Sequence, residues 1–182
     1  MVKKEINWLE GFAATWRDRE EHGRIPHAVL LTGPPGVGKR AAARWIAARK
    51  LETDTASALP VYPVEPLEHS DLHWVAPLED KQTISIDQIR QLVHEFALTS
   101  YEGVGKVAVI EPANAMTVNA ANSLLKTLEE PPGDAMLVLV VDKIGKLPAT
   151  IFSRGQRIDF APPSEADALA WLNQRQPGAA WV

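Results

Sequence analysis

Residues 28–40, Ala-Val-Leu-Leu-Thr-Gly-Pro-Pro-Gly-Val-Gly-Lys-Arg, restrict the possible folds more than any other stretch of the chain. The apolar run Ala28 to Leu31 reads as a buried strand, and the Ala- and Trp-bearing run that begins at Arg40 reads as a helix. Between them Gly33, Pro35, Gly36, Val37, Gly38 and Lys39 complete a G-x-x-x-x-G-K pattern. In a strand–turn–helix setting that pattern is a phosphate-binding loop. Its glycines let backbone N–H groups converge on an anion, and the helix N-terminus adds its positive end. Lys39 supplies a mobile cation. A working loop places Ser or Thr after the lysine to hold Mg²⁺. Here that position is Arg40, whose guanidinium has donors and no acceptor. The cradle is present and its metal ligand is missing; Arg40 either neutralises phosphate charge itself or fills the pocket.

Hydrolysis would also need a carboxylate at the end of a neighbouring strand, and a second one to orient water. The strand Val107 to Ile110 is followed by Glu111, Pro112, Ala113 and Asn114. Glu111 is able to take the metal position, but Pro112 stands at the water-activating position and has no side-chain base. Losing both the hydroxyl and the base removes transition-state stabilisation while leaving the cradle, so ATP or ADP is expected to bind weakly and without hydrolysis.

Around this centre the chain alternates helical and extended patterns. Ile6, Leu9, Phe12, Ala13 and Trp16 predict an amphipathic helix from about Lys4 to Glu21, ended by Gly23. In the helix after the loop, Trp45 and Ile46 mark the apolar side and Arg44, Arg49 and Lys50 the other. Residues 52–70, with Pro60, Pro63 and Pro66 in every third position, predict an extended connector without hydrogen-bonded structure. His69, Asp71 and His73 could supply metal ligands, but with no second ligand cluster they read as a polar loop entering the strand Leu72 to Ala76. Ser85 caps a helix carrying Ile86, Ile89, Leu92, Val93 and Phe96, and Thr117 caps another that Pro131 and Pro132 stop. Residues 106–110 and 136–141 are strongly apolar strands, and Arg157 to Phe160 is a shorter one near the edge. The whole reads as an α/β layer fold with a mostly parallel five-stranded sheet flanked by helices.

Composition narrows the function. The net charge of −4 lacks the basic footprint of a free-standing nucleic-acid binder. With no cysteine, disulfides and Cys-based zinc sites are excluded, so no zinc and no metal site are assigned. The first residues lack the apolar core of a signal peptide and no apolar run reaches membrane-spanning length, so a cytoplasmic protein without membrane contact is expected.

Four stretches resemble the delta-prime subunits of the bacterial DNA polymerase III clamp loader, members of the AAA+ family. They are Ile25 to Gly33, His69 to Pro77, the highly specific Asn119 to Pro132 (Asn-Ala-Ala-Asn-Ser-Leu-Leu-Lys-Thr-Leu-Glu-Glu-Pro-Pro), and Leu147 to Gln156. The resemblance implies a P-loop AAA+ domain over residues 1–161, with residues 162–182 starting a helical lid after the Pro162-Pro163 hinge. It implies a stator-like role in DNA replication, within a DNA polymerase (nucleotidyltransferase) complex and without catalysis by this chain. The implied partners are gamma/tau-like ATPase subunits and the clamp-opening delta subunit, with primer-template DNA engaged only inside the assembly. In that family the Ser-Arg-Cys arginine reaches a neighbouring subunit's nucleotide, which gives Arg154 the role of an arginine finger acting in trans. A planar, permanent cation suits that role.

The departures are Gly155 in place of the family's cysteine, expected to loosen the backbone beside Arg154, and a connector too short for the family's zinc module. A gamma/tau-like active ATPase and an unrelated P-loop protein remain the alternatives. Arg40 and Pro112 weigh against the first of these.

Overall fold

The structure, a computed structural model, describes residues 3–53 and 57–175. The strands pair as one parallel sheet, each separated from the next by a crossover of more than a dozen residues, as parallel neighbours require. Its strands are β2 (Ala28–Thr32), β4 (Leu72–Val75), β5 (Lys106–Ile110), β6 (Ala135–Val141) and β7 (Gln156–Asp159). They lie in the order β4-β5-β6-β2-β7, all neighbours parallel. The strand before the glycine loop therefore sits inside the sheet, between β6 and β7. Thr32 stands level with Val141 on one side and Asp159 on the other, so the three strands end together. The residues that follow all three emerge at one edge, where a ligand site in an open α/β sheet belongs.

Alternation along the strands sends side chains to two separate cores. Val29, Leu31, Val138 and Val140 pack with α1 (Glu10–Glu21) and α2 (Lys39–Lys50). Leu30, Leu137, Leu139 and Val141 pack with α3 (Ile86–Ala97) and α4 (Val118–Glu129) on the opposite face. The expected caps form. Ser85 accepts from the Gln88 amide while the Gln88 side chain accepts from the Ser85 amide, and Thr117 accepts from the Ala120 amide. Gly23 ends α1 with a left-handed φ of 63°, and the Arg24 amide reaches back to the Arg19 carbonyl. Two further helices, α5 (Ala149–Phe152) and α6 (Glu165–Arg175), flank β7.

The structure corrects three expectations. The first helix begins at Glu10, not near Lys4; Lys4–Glu5 is a strand, β1, followed by a 3-10 turn at Asn7–Leu9. Its partner is β3 (Val61–Tyr62), antiparallel, inside the connector expected to have no hydrogen-bonded structure. The Ile6 amide extends the pairing by donating to the Pro60 carbonyl at 2.8 Å. Ile6 and Leu9, which share a helical face with Phe12 and Trp16 by count alone, are buried instead by a strand and a turn. The connector also overturns the expected solvent face of α2. It crosses that helix, so Arg44 is buried with its Nε donating to the Glu65 carbonyl at 2.7 Å, and Trp45 donates to the Ser57 carbonyl.

Candidate functional site

The glycine loop closes around contacts that only glycine tolerates at two of its positions. Gly33 has a φ of 149°, and a β-carbon there would lie 2.2 Å from the Phe160 carbonyl oxygen. Gly38, the residue before α2, has a φ of 103°, and a β-carbon there would lie 2.9 Å from Cδ1 of the buried Leu9. No side chain caps the start of α2, so its first amides face the loop. Val37 is buried and its carbonyl accepts from the Trp8 indole at 3.0 Å, whereas Pro35 and Gly36 are exposed on the loop's rim.

Lys39 is buried and folded back on the loop. Its ammonium donates to the carbonyls of Gly33 at 2.8 Å and Pro34 at 2.5 Å, and pairs with Asp142 at 2.8 Å. An ammonium has three donors, so all are engaged by protein oxygens. Asp142 follows β6 and is held by the Asn114 side-chain carbonyl, which accepts from the Asp142 amide at 2.8 Å. Neither residue is conspicuous in the sequence; they matter because β5 and β6 end beside the loop.

Arg40 lies on the outer side of the same cavity. Its Nε is 3.2 Å from Glu111 Oε2, and its guanidinium sits 5.8 Å from the Trp74 ring centre. Trp74 donates its indole N–H to that same Glu111 oxygen at 3.2 Å. Burial raises the Glu111 pKa; the Arg40 charge and the Trp74 hydrogen bond pull the other way without cancelling the rise. The structure thus places Glu111 on the cavity wall beside the loop, with a protein cation against it. Pro112 follows and begins a 3-10 turn, carrying no base. A divalent ion would find no hydroxyl at position 40, Glu111 occupied by Arg40, and Asp142 occupied by Lys39. This donor set does not fit the metal that a P-loop ordinarily holds.

The cavity has a volume of about 550 Å³ and an aromatic rim that sequence reasoning missed. Trp171 of α6 meets Trp8 edge-on at 5.5 Å and Tyr62 at 5.7 Å, and its indole donates to the Glu5 carbonyl at 2.9 Å. The three rings come from a 3-10 turn, the connector and α6. They converge only because β1 and β3 pair, and no local pattern announces that.

Arg154 is not part of this cavity. Its Nε and a terminal nitrogen lie 2.6 and 2.5 Å from Glu129 Oε1, at the end of α4, and the other terminal nitrogen donates to the Thr150 carbonyl at 2.9 Å. Gln156 is level with Val29, while the glycine loop starts after Thr32. Arg154 and the loop therefore occupy opposite ends of the β2–β7 pair: Gln156 is already about 13 Å from the loop along the strands, and Arg154 precedes it. Beside it, Gly155 fills a packing need: a β-carbon would lie 2.2 Å from Cδ1 of the fully buried Leu30.

The residues His69, Asp71 and His73 go to separate tasks. Asp71 is buried and accepts from the Ser100 hydroxyl and the Tyr101 and Glu102 amides. Burial alone would raise its pKa, but those hydrogen bonds outweigh it and the carboxyl ionises more readily than usual. His69 pairs with Glu102, and His73 with Glu95. Among the described residues no group of three or more metal-ligating side chains converges, and no helix is long and apolar enough to cross a membrane.

Residues 9–164 match the family described as "DNA polymerase III, delta subunit". The chain is 38% identical over 170 residues to DNA polymerase III subunit delta′ of Pseudomonas aeruginosa, covering 90% of this chain and 52% of that protein. It is 40% identical to the Bacillus subtilis delta′ subunit, covering 78% and 44%, and 31% identical to the B. subtilis tau subunit, covering 75% and 25%. It spans about half the length of those delta′ relatives. Among solved structures, a gamma-subunit-related protein of Thermotoga maritima aligns with a TM-score of 0.60 at 23% identity, covering 96% of this chain and 53% of that one. RuvB of T. maritima aligns with a TM-score of 0.62 at 18% identity, covering 92% and 49%. At those identities the structural likeness establishes the fold, that of P-loop AAA+ proteins.

Proposed function

We propose, from the premise that this chain belongs to the DNA polymerase III delta-subunit family and carries the N-terminal portion of a delta′ subunit, that it serves as a non-hydrolysing stator of a clamp loader. It holds its place in a ring with gamma/tau-like ATPases and the clamp-opening delta subunit, and lends Arg154 to the ATP of a neighbouring ATPase subunit. Primer-template DNA is met by the ring, not by this chain alone.

The observation that carries this reading is the separation of Arg154 from its own loop. A guanidinium at the far end of β7 from the P-loop cannot touch phosphate bound in the same chain, so whatever anion it serves belongs to another. Glu129 fixes its orientation while leaving the side chain 28% exposed, available to a partner's surface. The loop side supports the non-hydrolysing half of the reading. Position 40 presents a cation instead of a hydroxyl, and Pro112 has no proton acceptor to orient water.

The test is the ATPase rate of the reconstituted loader carrying Arg154→Ala. An in-trans finger supplies transition-state charge, so turnover should fall by at least about tenfold with assembly intact. Unchanged turnover removes the trans role. Robust phosphate release by this chain alone, with Mg²⁺ and ATP, would favour the gamma/tau-like reading instead.

A further inference from the structure

At this P-loop the two adjacent cations are in opposite states. Lys39, which would ordinarily meet the outer phosphates, is buried and has all its donors on Gly33, Pro34 and Asp142. Arg40 is exposed, its contact with Glu111 is an ion pair without an aligned hydrogen bond, and its N–H groups have no acceptor among the described residues. It stands on the cavity wall with the exposed rim of the loop, over Trp74 and against the carboxylate that a metal would otherwise face.

We infer that the Arg40 guanidinium takes the place of the divalent cation, so that this loop binds a nucleoside diphosphate or triphosphate in its metal-free form. This rests on reading the loop as a nucleotide cradle and adds its ligand form. The charges on the wall account for the preference. Lys39 and Asp142 neutralise one another, as do Arg40 and Glu111. A bound polyphosphate meets the terminal N–H groups of the guanidinium, giving charge-assisted and bidentate hydrogen bonds while Nε stays paired with Glu111. A hydrated Mg²⁺ arriving with the nucleotide would be brought against Arg40 and would find Glu111 and Asp142 already committed. Magnesium therefore competes with Arg40 for the same phosphate oxygens and offers no compensating bond to the protein.

The test is isothermal titration calorimetry of ADP into the 182-residue chain, once in EDTA and once in excess Mg²⁺. The affinity in EDTA should equal or exceed that in Mg²⁺. Arg40→Ala, checked for folding by circular dichroism, should weaken metal-free binding by at least about tenfold, and Arg40→Lys by less, since an ammonium keeps the charge but not the fork. A gain of tenfold or more on adding Mg²⁺ overturns the inference. So does Arg40→Ala binding as the parent does, and so does an absence of ADP binding in both buffers, which would make the Arg40–Glu111 pair a plug. Arg154 is judged on a neighbour's turnover, so its role and this one can fail separately.

Discussion

Gly155→Cys installs the residue that the Ser-Arg-Cys pattern calls for, and the structure says this chain will not accept it. A β-carbon at 155 would lie 2.2 Å from Leu30 Cδ1, against an optimum near ~3.5–4.0 Å. Leu30 is fully buried in the middle of β2, so its methyl cannot swing into solvent. Overpacking of this kind costs about 1–3 kcal/mol, and replacing a glycine returns roughly 0.4–1 kcal/mol by restricting the unfolded chain. The net expectation is a loss of about 1.5 kcal/mol, or a fall in Tm of roughly 3–6 °C for a chain of this size. A double-mutant cycle in urea isolates the cause. Leu30→Ala alone should cost about 2–5 kcal/mol. In that background Gly155→Cys should cost nothing or stabilise, a coupling of about 1–2 kcal/mol. If the cysteine costs the same in both backgrounds, or leaves Tm unmoved, the clash with Leu30 is not what keeps glycine beside Arg154.

Two further outcomes are open to measurement. Asp71→Asn should destabilise the chain by about 2–4 kcal/mol at neutral pH, because one carboxylate accepts from the Ser100 hydroxyl and the Tyr101 and Glu102 amides. Since the folded pKa of Asp71 is lowered, its contribution is present above the ordinary carboxylate range and is lost as pH falls through the folded value. The gap between parent and variant in urea unfolding should close in acid and stay constant from pH 6 to 8. Arg40→Thr restores a hydroxyl beside Lys39, yet phosphate release in Mg²⁺ and ATP should stay at the parent's level, because Pro112 still offers no base; turnover approaching ~1 s⁻¹ would refute that.

The sheet, both layers of helices and the caps at Ser85 and Thr117 were legible because each is written in neighbouring residues: apolar runs, a 3.6-residue stripe, a polar side chain ahead of it. The glycine loop was legible for the same reason. What escaped was written across long separations. Lys4–Glu5 meets Val61–Tyr62 in a pair of two-residue strands too short to alternate visibly. Arg44 reads as a surface residue until the connector is laid over it. Trp8, Tyr62 and Trp171 each look like an isolated aromatic, and only the crossing of three segments makes them one rim. Gly155 was misread in kind: an apparent loosening is a close fit against Leu30.

One consequence of the β2–β7 register has to do with evolution by insertion. One residue added within β2 would turn every later side chain to the wrong core. Two would preserve the alternation yet push the glycine loop away from Arg154 by about 7 Å. The strand is thus a yardstick, and lineages that lengthen this protein must do so in its turns, where distance between its two working ends is left untouched.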